Sequence, residues 1–406
     1  MSEHASSPGD SSLGSEVPPS SRVAPEAERA ARLEASYHGT VLPLAEAVVP
    51  GALGCQRCEV LPEPVHGPGT LHLRFPHSHT LGKALRQLRT AGVAHAERQG
   101  VVTIDVPGAD VQPVLDAMAA VLTSVEQRDV RVVFQPRDRM LGVEDYFAAE
   151  AFPRFLAASR ATWLIGLMRG HALRSVFQPI VGAWPAGGGW VVHGYECLMR
   201  GVRDGRDVAP AAMLDLARAA DLLFHLDLAA RRTALLAAAR HHVTERVFVN
   251  FTPHAVYEPR TCLRSTVALV DELGLRRDQV VFEVVETERF DDLQHLAHIV
   301  GFYRDQGFAV ALDDVGAGYA SLNALLALRP DYVKLDMALT RRVHADPSRA
   351  IVAGKVIEAA RELGLRTVVE GVETAEERDW AVAHGADFLQ GFHFARPAAE
   401  PPAVAA

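Results

Sequence analysis

The chain has 406 residues, of which 49% are apolar and 22% charged, with a formal net charge of −9 and a pI near 6.1. Such values belong to a folded globular protein and exclude whole-chain disorder, a collagen-like rod and a coiled coil. The acidic balance argues against a basic nucleic-acid-binding chain, so neither DNA nor RNA is an expected partner, and an anionic substrate would need a metal ion or a few placed arginines.

Residues 1–38 are rich in Ser, Pro, Gly, Ala and Glu and cannot bury enough surface to offset the entropy of ordering, which predicts a disordered tail. Residues 39–136 form a small α/β module. Strands are expected at 71–75, 101–106 and 130–134, and amphipathic helices at 80–92 and 109–122. No family is assigned to this module, and a regulatory role is the expectation. A helical connector follows over 137–176, with Trp163, Leu164, Leu167 and Met168 on one packing face. From 177 to 398, strands are expected at 176–181, 190–198, 246–251, 280–285, 308–314, 332–336, 367–372 and 386–392, with helical segments between most of them. Eight such repeats predict a (β/α)8 barrel, and residues 399–406 form a short tail.

The cysteines number four: Cys55, Cys58, Cys197 and Cys262. They are too few for a disulfide scaffold. Cys55 and Cys58 make a CxxC that precedes His66, His72, His77 and His79, but the spacing is poor for zinc, and a loop with two ordinary cysteines is preferred over a zinc or redox site. No charge-free apolar run is long enough for a membrane span. The N-terminus lacks the apolar stretch of a secretory signal, so a cytoplasmic location is expected. The run of three glycines at 187–189 is a turn rather than a phosphate loop.

In a barrel of this kind, functional side chains gather at the C-terminal ends of the strands. Here those ends carry Glu196, Asn250, Glu283, Asp313, Asp314, Lys334, Glu370 and Gln390. One carboxylate at such a place is often a salt bridge or a helix cap. Five converging on one mouth would repel one another without cations. Oxygen donors without paired His or Cys favour Mg²⁺ or Mn²⁺ over zinc, and two such ions suit hydrolysis of a phosphate ester.

The motifs FQPIV (177–181), GYECLMRG (194–201), VFVNFT (247–252), FEVVE (282–286), LDDVGAGYASL (312–322), DYVKLD (331–336), VVEGVET (368–374) and LQGFHFARP (389–397) resemble the EAL-domain cyclic-di-GMP phosphodiesterases, in family order and over more than half the chain. The resemblance implies a modified TIM barrel whose first strand runs antiparallel, and opening of cyclic di-GMP to linear pGpG. It implies Glu196, Asn250, Glu283 and Asp313 as ligands of one metal, with Asp313 bridging to a second held by Asp314 and Glu370. It implies that Lys334 holds the attacking water and stabilises negative charge. Lys334 is one of only three lysines against 38 arginines. Glu373 and Gln390 would orient ligands, with Glu373 counted beside Lys334 and Glu370 as catalytic. Gln178, Leu198 and Arg200 would touch the dinucleotide. Glu286 would anchor the loop 315–321, which includes Gly316 and Gly318, and the barrel would form a homodimer. No cyclase signature accompanies these motifs. Two positions depart from the pattern: Cys197 gives Glu-Cys-Leu in place of Glu-Ala-Leu, and Val315 replaces a usual Phe. Strand alternation turns Cys197 away from the metals, which makes it a packing residue before a redox switch. The alternative function is a catalytically silent cyclic-di-GMP receptor or an interaction module.

Overall fold

The structure is a computed structural model that describes residues 61–62, 68–108, 110–147, 149–183, 189–253, 256–285, 293–316 and 322–404. The expected tail, Cys55, Cys58, His66, Glu286 and Gly318 lie outside the described residues, as does most of the loop 315–321. All described residues belong to one compact unit.

The small module is built from β1 (Gly69–Arg74), α1 (Ser78–Thr90), β2 (Ala96–Arg98), β3 (Val101–Val106), α2 (Gln112–Ala119), α3 (Ser124–Asp129) and β4 (Arg131–Pro136). After α4 (Val143–Phe147), β5 (Glu150–Ala151) adds a short edge, and the all-antiparallel sheet runs β2-β3-β1-β4-β5. The first four strands follow the ferredoxin-like split βαβ plan. Period-two alternation decides its buried face: Leu71 lies opposite Ile104 and Phe134, and Leu73 opposite Val102 on one side and Val132 on the other. Thr123 caps α3 in a reciprocal box with Glu126, whose carboxylate also takes Lys83 Nζ at 2.8 Å.

The small sheet reaches past residue 136, and the helices that follow serve two cores. Phe152, Phe155 and Leu156 of α5 (Phe152–Arg160) pack into the module. Leu164, Leu167 and Met168 of α6 (Thr162–Arg169) pack with Met213 and Leu226 beside the barrel, and Trp163 lies against that cluster under the Arg203 guanidinium.

The barrel strands are β6 (Leu173–Ala183), β7 (Trp190–Arg203), β9 (Arg246–Phe251), β10 (Val280–Val285), β11 (Ala309–Val315), β12 (Tyr332–Leu335), β13 (Arg366–Val369) and β14 (Phe388–Gln390). β8 (Arg206–Val208) extends β7 as a hairpin. The sheet closes because β6 pairs with both β14 and β7, antiparallel to each, while the other barrel pairs are parallel. This is the eight-stranded barrel with a reversed first strand. Its outer face packs on helices that include α7 (Pro210–Ala219), α8 (Leu223–Arg240), α9 (Pro259–Cys262), α10 (Arg264–Glu272), α11 (Leu293–Asp305), α12 (Leu322–Leu328), α13 (Met337–Thr340), α14 (Pro347–Glu362) and α15 (Ala375–Ala383).

Inside the barrel, Ile180, Phe248, Val281, Ala309, Ala311, Tyr332 and Val368 form one apolar cluster, with Phe388 against it. This plug supports the mouth above. Two residues beyond its members stand Asn250, Glu283, Asp313, Lys334, Glu370 and Gln390. On β6 the polar residue, Gln178, comes two positions before Ile180, because that strand runs the other way.

Candidate active site

Each barrel strand places its polar residue by the same alternation. Val247, Val249 and Phe251 of β9 face the outer core, and so do Phe282 and Val284 of β10. The intervening Asn250 and Glu283 therefore share the interior, in register with each other across β9 and β10. On β7, Tyr195 and Cys197 belong to the outer core, which leaves Glu196 inside and paired in register with Gln178 of β6.

Asp313 and Asp314 are consecutive, so a regular strand would send them to opposite faces. The register of β11 against β12 shifts between Leu312 and Val315, and Asp314 takes a left-handed φ of 56°. This bulge lets a carboxylate of each residue come within 4.8 Å of one from Glu370. Aspartate is among the few residues that adopt the left-handed region readily. Gly316 follows at φ 104°, where an added Cβ would lie 2.1 Å from Leu339.

Lys334 is fully buried at the centre of the mouth. Its Nζ lies 2.7 Å from Glu370, 2.8 Å from Glu283, 3.0 Å from Asp313 and 3.6 Å from Glu196. Burial opposes its charge, but Asp313, Glu196, Glu283 and Glu370 more than offset this and hold its pKa well above the ordinary lysine value. Burial pushes Glu283, Asp313 and Glu370 up; Lys334 pulls each back, while neighbouring carboxylates push further. Burial, then Asp313 and Asp336, raise Asp314 to about 6.

Two oxygen-donor groups emerge among the described residues: Glu196, Glu283 and Asp313, and then Asp313, Asp314 and Glu370, each with its donor atoms within 4.8 Å of one another. Asp313 belongs to both. Despite the short approach of Lys334, both oxygens of Glu283 are buried without an aligned hydrogen bond. That leftover acceptor capacity, in an all-oxygen donor set, fits hard divalent cations. Amides fix the remaining carboxylate: Asn250 Nδ2 donates to Glu196 Oε1 at 3.2 Å, and Gln390 Nε2 donates to Glu196 Oε2 at 2.6 Å. Gln390 Nε2 also lies 3.3 Å from Gln178 Oε1.

The structure thus brings together Gln178, Glu196, Asn250, Glu283, Asp313, Asp314, Lys334, Glu370 and Gln390. Leu198 and Arg200 continue the face of Glu196 toward the rim, both half-buried. Glu373 stands apart: it is exposed, with Arg341 Nη2 at 3.9 Å as its charged neighbour. Cys197 is buried in the outer core, and burial pushes its thiol up to about 12, so it has packing character and little thiolate. Two polar pairs went unread in the sequence. His193 Nε2 lies 2.9 Å from Tyr332 Oη beneath the apolar plug, stacked on Phe388, and Asp227 and Arg231 are buried on α8. An i,i+4 spacing of opposite charges was the signal for the second.

The EAL domain family profile matches residues 159–397, more than half of the chain. The chain is 31% identical over 221 residues to the probable cyclic di-GMP phosphodiesterase PdeG of Escherichia coli, an alignment covering 51% of this chain and 43% of that protein. It is 34% identical over 145 residues to the cyclic di-GMP phosphodiesterase RocR of Pseudomonas aeruginosa, over 35% of this chain and 36% of that one. It therefore spans less than half the length of either relative. Among solved structures, a standalone EAL protein from Vibrio cholerae in its c-di-GMP-bound form matches with a TM-score of 0.52 and 31% identity, over 57% of this chain and 95% of that one. The manganese/cy-diGMP complex of Klebsiella pneumoniae BlrP1 shares the fold over 82% of this chain and 97% of that one, with a TM-score of 0.51 and 21% identity. A reversed first strand, a mouth of carboxylates around one lysine, and the family profile across the same residues agree: this chain belongs to the EAL domain family.

Proposed function

We propose that this protein hydrolyses cyclic di-GMP to linear pGpG with the help of two divalent cations, Mg²⁺ or Mn²⁺. One observation carries the reading: Asp313 is shared by two oxygen-donor groups that meet around Lys334. Glu196, Asn250, Glu283 and Asp313 would hold one ion, and Asp313, Asp314 and Glu370 the other. The ions would supply activation of water and neutralisation of charge on the phosphodiester. The remaining work belongs to the chain. Asn250 and Gln390 hold the two oxygens of Glu196, so that this carboxylate cannot rotate. Lys334 would offer positive charge, from a fully buried side chain, to an oxygen as it becomes more negative. Arg200, Leu198 and Gln178 would bind the dinucleotide, Arg200 through phosphate. Glu286 would anchor the loop 315–321, with Gly316 and Gly318 in it, and that loop would close the mouth; Glu373 would help to orient the ligands.

The reading extends to a cytoplasmic homodimer formed through the barrel and to a regulatory role for residues 39–136. Among the described residues, no helix is long and apolar enough to cross a membrane.

The test is incubation of purified protein with cyclic di-GMP and Mg²⁺ or Mn²⁺, followed by separation of the nucleotides, with EDTA as control. Metal-dependent pGpG is the expected result. Binding without cleavage by folded, metal-supplied protein would replace the enzyme with a receptor.

A further inference from the structure

Asp227 and Arg231 are buried on α8, outside the barrel strands, and the proposed reaction uses neither. Arg231 is fully buried. Its Nη2 and Nε lie 2.8 Å and 3.0 Å from Asp227 Oδ2. Nη1 donates to Thr266 Oγ1 of α10 at 2.8 Å and approaches Tyr303 Oη of α11 at 3.4 Å. The other carboxylate oxygen, Asp227 Oδ1, accepts from the backbone N–H of Thr252 at 2.7 Å.

That last contact connects the pair to the mouth. Thr252 is the first residue after β9 and lies two residues beyond Asn250, which holds Glu196. A second connection runs through aromatic packing. The Tyr303 ring stacks on Phe282 at 4.0 Å between centroids and meets Phe251 edge-on at 5.3 Å. Phe251 follows Asn250, and Phe282 precedes Glu283, and those two polar residues face each other in register. The pair thus supports the C-terminal ends of both strands at the half of the mouth formed by Asn250 and Glu283.

We propose that Asp227 and Arg231 are positioning residues: together they fix the ends of β9 and β10, so that Asn250 and Glu283 meet the first cation in one geometry. This rests on the two-metal reading above. A buried ion pair is weak support for stability, since well-packed apolar replacements are often as stable or more so. A group hydrogen-bonded directly to a ligand, by contrast, typically sets metal affinity by about 10–100-fold, and this pair, acting one step further out through Thr252, belongs at the low end of that range.

The experiment measures Mn²⁺ binding, not turnover, by electron paramagnetic resonance of free Mn²⁺ on the full chain. The double variant Asp227→Leu/Arg231→Met removes both charges together, and Thr252→Pro removes the N–H and the hydroxyl that Thr252 offers to Asp227, with the ion pair left in place. Circular-dichroism melting identifies folded protein. Affinity for the first Mn²⁺ weakened about tenfold or more in every variant that folds is the expected result. Unchanged affinity in a folded variant, beside normal binding by the wild type, overturns the inference alone. Failure of both variants to fold makes the pair purely structural and also overturns it. A wild type that binds no Mn²⁺ overturns the two-metal reading, and this inference with it.

Discussion

Replacing Lys334 with methionine tests the electrostatics of the mouth most directly. Methionine keeps much of the stem's volume and removes the ammonium. Four carboxylates, at 2.7, 2.8, 3.0 and 3.6 Å from Nζ, lose their common cation, and Glu283 is as fully buried as the lysine. Removing one partner of a buried pair costs about 3–5 kcal/mol. For a domain of this size that lowers the melting temperature by roughly 10 °C in metal-free buffer. Saturating Mn²⁺ should recover most of the loss, because divalent charge takes over what the ammonium supplied. Turnover should not recover. A preorganised donor aimed at developing negative charge contributes about 10²–10³-fold in rate. The assay is a thermal melt with and without Mn²⁺, beside chromatographic measurement of pGpG at equal concentrations of folded protein. A metal-free variant that melts with the wild type, or a Mn²⁺-loaded variant within a few-fold of wild-type turnover, would refute the argument that Lys334 balances this cluster and acts on the substrate.

Glu196→Ala and Asp313→Ala should each abolish pGpG formation while the far-ultraviolet spectrum stays that of the wild type; near-normal activity in either removes the ligand assignment. Burial first, then Arg246 and Arg366, hold His193 down to about 4, so the unfolded chain takes up this proton before the folded one does. Its contribution is therefore complete above pH 6.5 and is lost as the pH falls toward 4, about 1–2 kcal/mol after discounting for partial exposure. Denaturant unfolding across that range should show a shallower pH slope in His193→Gln than in the wild type. Gly391→Ala should cost about 1–3 kcal/mol and disturb Gln390, since an added Cβ would lie 2.1 Å from the Val372 carbonyl oxygen; an unchanged urea midpoint counts against this. Iodoacetamide should leave Cys197 unmodified in the native protein, as mass spectrometry of peptides would read, and rapid labelling would restore the redox reading.

Much of the barrel was legible because its strands are short apolar runs, each broken by a polar residue at a fixed place. The runs 246–251 and 280–285 coincide with β9 and β10. The same alternation correctly separated Glu196 from Cys197. It could not supply the bulge at Asp313 and Asp314, because a period of two assigns neighbours to opposite faces and only the backbone shows one residue in the left-handed region. The short strands β2 and β5 carry no apolar alternation and were invisible for that reason. Asp227 and Arg231 were hidden differently. Two opposite charges one helical turn apart read as a solvated face, and only the packing of α10 and α11 over α8 reveals that the face is buried.

The charge count of the mouth connects its cost to its use. Five carboxylates, Glu196, Glu283, Asp313, Asp314 and Glu370, surround one ammonium, so the fully ionised cluster carries four excess negative charges. Two divalent cations match that number. Without them, the interior favours protonation, which is the direction in which burial moves Glu283, Asp313, Asp314 and Glu370. The cluster therefore opposes folding in its ionised, metal-free form, and the apolar plug beneath it, with the packed outer face of the barrel, must supply the stability that holds it in place. Such a mouth would bind cations by relief of repulsion as well as by coordination, and binding should release protons. Calorimetric titration of the protein with Mn²⁺ at pH 6, in buffers of different ionisation enthalpy, would measure that release directly. Heats that do not depend on the buffer would show that the carboxylates are already ionised, and that Lys334 alone suffices to balance them.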